Sequence, residues 1–268
     1  MKHNIYFIDA FADTLFSGNP AAVLLLDKWL DKALMQSIAA ENNLSETAFV
    51  VEEEDRYHIR WFSPLKEIDF CGHATLASAY VLFQKYSKKD EIGFYAKAVG
   101  NFSVRRLEGD MIEMRFPSRK PRKVADVPSW LYQGLSIKPT EVYRNQQAYF
   151  AIYESEEDVH TVTQEAEALK KLSPYDVVVT APVAVTAASE TYDFVSRYFW
   201  PASGGEEDPV TGSIHAGLAP FWAERLGKQK MVAYQASSRG GILYCSVEGE
   251  TVTISGKAVP YLEGSVKV

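Results

Sequence analysis

The sequence predicts an α+β protein of two pseudo-symmetric lobes, each a mostly antiparallel sheet around a central helix. Three observations carry that prediction: a motif that recurs in both halves, short strand-like runs bounded by turn residues, and one helix pattern per half that is apolar nearly all round. In the first half, Tyr-His-Ile-Arg-Trp-Phe-Ser-Pro ends at Pro64, and eight residues later Gly72 opens the apolar run Gly-His-Ala-Thr-Leu-Ala-Ser-Ala. In the second, Tyr-Asp-Phe-Val-Ser-Arg-Tyr-Phe-Trp-Pro ends at Pro201, and eleven residues later Gly212 opens Gly-Ser-Ile-His-Ala-Gly-Leu-Ala. Both copies read Arg, aromatic, Phe, any residue, Pro, then an acidic loop, a glycine and an apolar helix, which a duplication explains.

Taken in order, strands are predicted at residues 4–9, 22–26, 47–51, 57–62, 93–95, 101–106 and 111–116, with a helix at 31–41 that spaces Leu30, Leu34 and Ile38 one turn apart. The second half repeats the style, with strands at 148–153, 176–180, 192–199, 241–247 and 251–255. The helix patterns at 73–84 and 214–225 read as the buried central helices, and Pro220 predicts a kink or break in the latter. Pro117, Pro121 and Pro128 bracket a basic stretch that reads as a solvated linker near 118–126. The expected lobes are 1–118 and 119–268, with the last strand able to pack back on the first lobe.

The 268 residues suffice for one large or two ordinary domains, and 47% hydrophobic with 24% charged residues is a globular composition. A net charge of -7 argues against a nucleic-acid partner, because phosphate backbones require a clustered positive field. No apolar run approaches the roughly 20 residues of a membrane span, and the N-terminal stretch has no signal-peptide pattern. Two cysteines, Cys71 and Cys245, are too few for a disulfide framework, so a cytoplasmic protein is expected.

A helix that opens at glycine presents unpaired N–H groups and a positive dipole end, both favourable to a carboxylate. Gly72 and Gly212 supply two such starts; the plain alternative is that each is an ordinary start capped by its own side chains. Aligning the copies on glycine sets His73, at a first turn where it can reach solvent, opposite Ser213, while His215 reads as structural. Of the loop carboxylates Glu67, Asp69, Glu206, Glu207 and Asp208, the last stands out, because Asp-Pro-Val-Thr-Gly-Ser holds it just before the helix; a plain capping acid is the alternative. Glu46, at the mouth of the strand 47–51, is by position a loop glutamate. It becomes a general acid/base if that strand end opens into the same cleft.

No GxGxxG, GxxxxGK[ST] or GxSxG pattern is present, so nucleotide cradles and a serine-hydrolase elbow are unsupported. Cys71 and His73 are two close donors without a second pair at zinc spacing, so no metal is expected. A thiol at a helix start can act as a base, but the copy of Cys71 is Thr211, which disfavours a two-thiol racemase site; a small packed residue is the simpler reading.

These motifs together resemble the phenazine-biosynthesis (PhzF-like) isomerase family, of the two-lobed diaminopimelate-epimerase type. The resemblance spans nearly the whole chain. It rests on Ile8-Asp9-Ala10-Phe11, Ser17-Gly18-Asn19-Pro20-Ala21-Ala22-Val23, Asn43-Leu44-Ser45-Glu46-Thr47-Ala48-Phe49, Arg60-Trp61-Phe62-Ser63-Pro64, Asp69-Phe70-Cys71-Gly72-His73-Ala74-Thr75 and Asp208-Pro209-Val210-Thr211-Gly212-Ser213. The resemblance implies curled sheets flanking a cleft, no metal or organic cofactor, a homodimer, Glu46 as catalytic glutamate and His73, Asp208 and Ser213 as substrate contacts. The expected activity is a cofactor-independent proton shift on a small carboxylate-bearing substrate. The alternatives are a racemase or epimerase using Cys71 and a non-catalytic binder of small acids.

Overall fold

The computed structural model describes residues 2–184 and 192–268. The chain divides into two compact units, one formed by the residues up to Arg115 with Ser255–Val268, the other by Phe116–Ile254.

In the first unit, β1 (Lys2–Ala10) pairs antiparallel with β2 (Asn19–Leu26), and α1 (Lys32–Asn42) carries the chain over to β3 (Glu46–Glu53), parallel to β2. Antiparallel β4 (Arg56–Phe62) and the two-residue β5 (Glu67–Ile68) follow, then α2 (Gly72–Lys85). β6 (Glu91–Ala96) returns parallel to β4, and β7 (Gly100–Arg106) and β8 (Ile112–Pro117) continue antiparallel. α1 is capped by Asp31, whose carboxylate accepts the Ala33 N–H at 2.8 Å, and it buries Met35, Ile38 and Ala39 against Leu24, Phe49 and Phe62. α2 is the central helix: every residue from Gly72 to Ala79 is buried, and it packs on β1, β2 and β3. Its buried hydroxyls are satisfied within the helix, Thr75 donating to the Cys71 carbonyl and Ser78 to that of Ala74.

The second unit begins with β9 (Arg122–Lys123), α3 (Ser129–Gln133), β10 (Glu141–Arg144) and β11 (Ala148–Ile152). α4 (Glu156–Thr161) and α5 (Ala166–Leu169) then cross to β12 (Asp176–Pro182), parallel to β11. Antiparallel β13 (Phe194–Phe199) and the two-residue β14 (Glu207–Asp208) precede α6 (His215–Leu226). β15 (Lys230–Gln235) returns parallel to β13, followed by β16 (Gly241–Glu248) and β17 (Thr251–Gly256). Tyr149, Tyr153, Val177, Val179 and Phe199 belong to the core between its sheet and α3 to α5. The last strand, β18 (Ala258–Lys267), belongs to the first unit, where it pairs with β1 from Lys2↔Lys267 to Ala10↔Ala258.

The element order parallel strand, helix, strand, strand, short strand, central helix, strand thus occurs twice, and the register repeats with it. Arg60 faces Phe49 as Arg197 faces Val179, and Trp61 faces Ile68 as Tyr198 faces Asp208. Each arginine forks onto a glutamate of the short strand: Arg60 onto Glu67 at 2.7 and 2.9 Å, Arg197 onto Glu207 at 2.8 and 2.8 Å.

Two expectations are corrected. The basic stretch is solvent-exposed, with Arg119, Lys120, Arg122 and Lys123 on the surface, but it is not a linker: Arg122 and Lys123 pair with Arg144 and Tyr143, and the Arg119 N–H donates to Ala216, all within the second unit. Pro220 does not break its helix, which is continuous over His215–Leu226. A proline withdraws the hydrogen bond to the carbonyl four residues earlier, that of Ala216, and this is the carbonyl the Arg119 N–H occupies at 2.9 Å. Among the described residues, no helix is long and apolar enough to cross a membrane.

Candidate active site

The turn out of α1 sets the position of Glu46. Asn43 adopts a left-handed conformation, φ 48°, its N–H donates to the Ala39 carbonyl, and Asn42 Nδ2 donates to Thr47 Oγ1 at 3.1 Å. The chain therefore enters β3 with Glu46 as its first residue and its side chain 13% exposed. Cys71 is the extended residue before α2, and its side chain makes no capping bond to the helix. Glu46 Oε2 lies 3.1 Å from His73 Nε2 and 3.6 Å from Cys71 Sγ, which in turn is 3.5 Å from His73 Nδ1. One carboxylate oxygen thus faces an imidazole and a thiol at the positive end of the central helix, where Gly72 is buried. His73 is not solvent-facing as a first-turn residue is expected to be: only 5% is exposed, because the ring is turned onto Glu46.

Among the other carboxylates of that loop, Glu67 is committed elsewhere. Its bonds from Arg60, joined by Lys32, hold its carboxyl down at about 2.

In the second unit, Asp208 lies on β14 and its Oδ2 accepts the Thr211 hydroxyl. Gln235, wholly buried on β15, fastens this loop: its Nε2 donates to the Asp208 carbonyl at 2.8 Å and its Oε1 accepts the Thr211 N–H at 2.9 Å. Gly212 is buried at the start of the turn Gly212–Ile214 that leads into α6 and has no side-chain cap. Ser213 Oγ accepts Gln147 Nε2 at 3.0 Å. The same Nε2 lies 3.2 Å from Tyr198 Oη, and the Tyr198 hydroxyl donates to Asp176 Oδ2 at 2.8 Å. Burial raises the Tyr198 phenol well above its ordinary value, so its proton stays in place. Burial also raises Asp176, against hydroxyl bonds from Tyr198 and Ser203. The direction of this chain leaves the Ser213 hydroxyl proton to donate, which suits an anionic or carbonyl oxygen.

The structure thus brings Glu46, Cys71, Gly72 and His73 together in one unit, and Asp208, Gly212 and Ser213 in the other. The profile of the phenazine biosynthesis-like protein family (PhzC-PhzF) matches residues 8–264. The chain belongs to the phenazine biosynthesis-like family. A Pseudomonas aeruginosa protein named as an uncharacterized isomerase is 47% identical over 99% of both chains. The crystal structure of a PhzF-family protein from Enterococcus faecalis superposes with a TM-score of 0.92 at 42% identity, covering 100% of both chains. A hydroxyproline epimerase from Agrobacterium vitis, 10% identical with a TM-score of 0.61 over 99% of this chain and 92% of that one, shares the α+β fold.

Within this family frame, four side chains escaped the sequence reading: Asp176, Gln147, Tyr198 and Gln235. Asp176 had a visible signal. Thr47 faces Phe62 and Val177 faces Phe199, so Asp176 holds in the second copy the place that Glu46 holds in the first, each the opening residue of its strand. Extending the repeat one strand upstream of its arginine would have paired them. Gln147 and Gln235 carry no such signal, because an amide in a loop or a strand becomes informative only once its partners are in place.

Proposed function

We propose that this PhzF-like protein is a cofactor-independent isomerase in which Glu46 takes a proton from one carbon of a small carboxylate-bearing substrate and returns it at another. The observation that carries the reading is the Glu46–His73 contact of 3.1 Å at a helix start that the Cys71 side chain does not cap, with Cys71 on the same oxygen. A carboxylate and an imidazole are both groups that serve as general acid and base when held within reach of a substrate proton. The N–H groups opening α2 favour an acidic substrate. His73 and Gly72 are proposed as substrate contacts in the first unit, and Asp208, as acceptor, with Ser213, as donor, and Gly212 in the second.

The test is incubation with a pool of small carboxylic acids in deuterated water, followed by mass spectrometry. Wild-type protein is expected to give isomerised acids carrying deuterium, and Glu46→Gln, folded by circular dichroism, to give neither. Undiminished isotope incorporation by Glu46→Gln on an identified substrate removes the proposal.

A further inference from the structure

Glu46 and the two side chains around it offer a second chemistry. Glu46, Cys71 and His73 each present one donor atom, and the three atoms lie within 4.8 Å of one another. Carboxylate, thiolate and imidazole are the donor types that zinc takes, and three protein ligands with one open position is the composition of non-structural zinc sites. The separations also come within a few tenths of an ångström of what a bound metal sets. A tetrahedral zinc bound at about 2.3 Å to sulfur and about 2.0–2.2 Å to nitrogen and oxygen spaces its ligand atoms roughly 3.4–3.6 Å apart. Here Cys71 Sγ is 3.6 Å from Glu46 Oε2 and 3.8 Å from His73 Nε2, and the latter two are 3.1 Å apart. Sγ is closer still to Nδ1, at 3.5 Å, so a metal taking a single ring nitrogen requires the imidazole to swing about its Cβ–Cγ bond.

We infer that Glu46, Cys71 and His73 form a site for Zn²⁺ or a similar thiophilic divalent cation, whose binding occupies the carboxylate and so opposes proton transfer. The thiolate and the carboxylate together balance the charge of the ion. Spacing along the chain could not show this set, because the third donor comes from β3, 25 residues before Cys71.

The experiment contains no substrate, so its outcome is separate from that of the isomerase reading. Metal-free protein is titrated with Zn²⁺ against a chromophoric chelator, and with Co²⁺ while the near-ultraviolet thiolate-to-cobalt band is recorded. One equivalent bound, with that band, is expected for wild type and for Cys245→Ser, whose thiol lies buried in the other unit. Cys71→Ser is expected to lose the band and to bind more than about 100-fold more weakly, since even partners that merely orient ligands are worth about 10–100-fold. Should Cys71→Ser not fold, Glu46→Gln and His73→Gln report the other two ligands by the same loss of affinity. Absence of stoichiometric binding by wild type, or binding by Cys71→Ser that equals it, overturns the inference.

Discussion

His215 lies wholly buried, with Nδ1 donating to the Thr211 carbonyl at 2.9 Å and Nε2 without a hydrogen-bond partner among the described residues. Burial is the larger influence on its pKa and lowers it from 6.5 to about 4, outweighing the Thr211 bond. The folded state keeps this imidazole neutral while the unfolded chain takes up a proton below 6.5. Its contribution is therefore complete above pH 6.5 and is lost as the pH falls through about 4, an amount on the order of 3 kcal/mol. Denaturant titrations between those limits are expected to show this loss in wild type and a flatter dependence in His215→Asn, which keeps a donor for Thr211; an equally steep dependence in the variant refutes the assignment. The sequence reading of His215 as structural and of Glu46 and His73 as chemical came from position and family motif. The burial of His73 was not legible, because it depends on a carboxylate that arrives from β3. Gln147→Leu tests the donor chain in the same way: it frees Tyr198 and Ser213 together and, with a substrate in hand, is expected to raise KM more than it lowers kcat.

The arginine forks are the element-scale device that holds each short strand before its central helix. Arg197 is the more deeply committed, 16% exposed, and its Nη1 also donates to the Val162 carbonyl at 2.8 Å. Arg197→Met leaves Glu207 and that carbonyl without their partner and is expected to cost about 3–5 kcal/mol in chemical denaturation. Arg60→Met, at a site 25% exposed on both sides, is expected to cost less. Equal losses would show that the carbonyl contacts add nothing. Strands with alternating or β-branched runs, and both central helices, were readable from pattern alone. β10, β15 and β18 were not. Pro260 and Gly264 lie within β18, and most of that strand is exposed, so it offers no apolar alternation to read. It is held by its ladder to β1 instead. Pro220 removes a helical hydrogen bond, as the sequence implies, but no break follows: a local rule counts the bond a proline loses and not the distant N–H that takes the freed carbonyl.

At the scale of the whole chain, the duplication was legible in two short motifs, and the structure extends it to the order and register of nearly every element between them. At its end the chain returns to the first unit, which is built from two separated segments, the residues up to Arg115 and Ser255–Val268. Deleting residues 258–268 turns β1 into an unpaired edge. The shortened protein is expected to lose cooperative unfolding of the first unit and to be cleaved there in limited proteolysis, while Phe116–Ile254 resists. Equal resistance of both units would show that β18 is dispensable.

The closure of β1 by β18 also bears on the timing of synthesis. Translation ordinarily lets the earlier domain fold first, at about 5–20 residues per second. Here all of Phe116–Ile254 leaves the ribosome before Ser255–Val268, so the later-encoded unit is complete while the earlier-encoded one still waits for its final strand. Nascent chains stalled after residue 254 plus a tunnel-length linker should therefore carry a protease-resistant second unit beside a first unit that is still open.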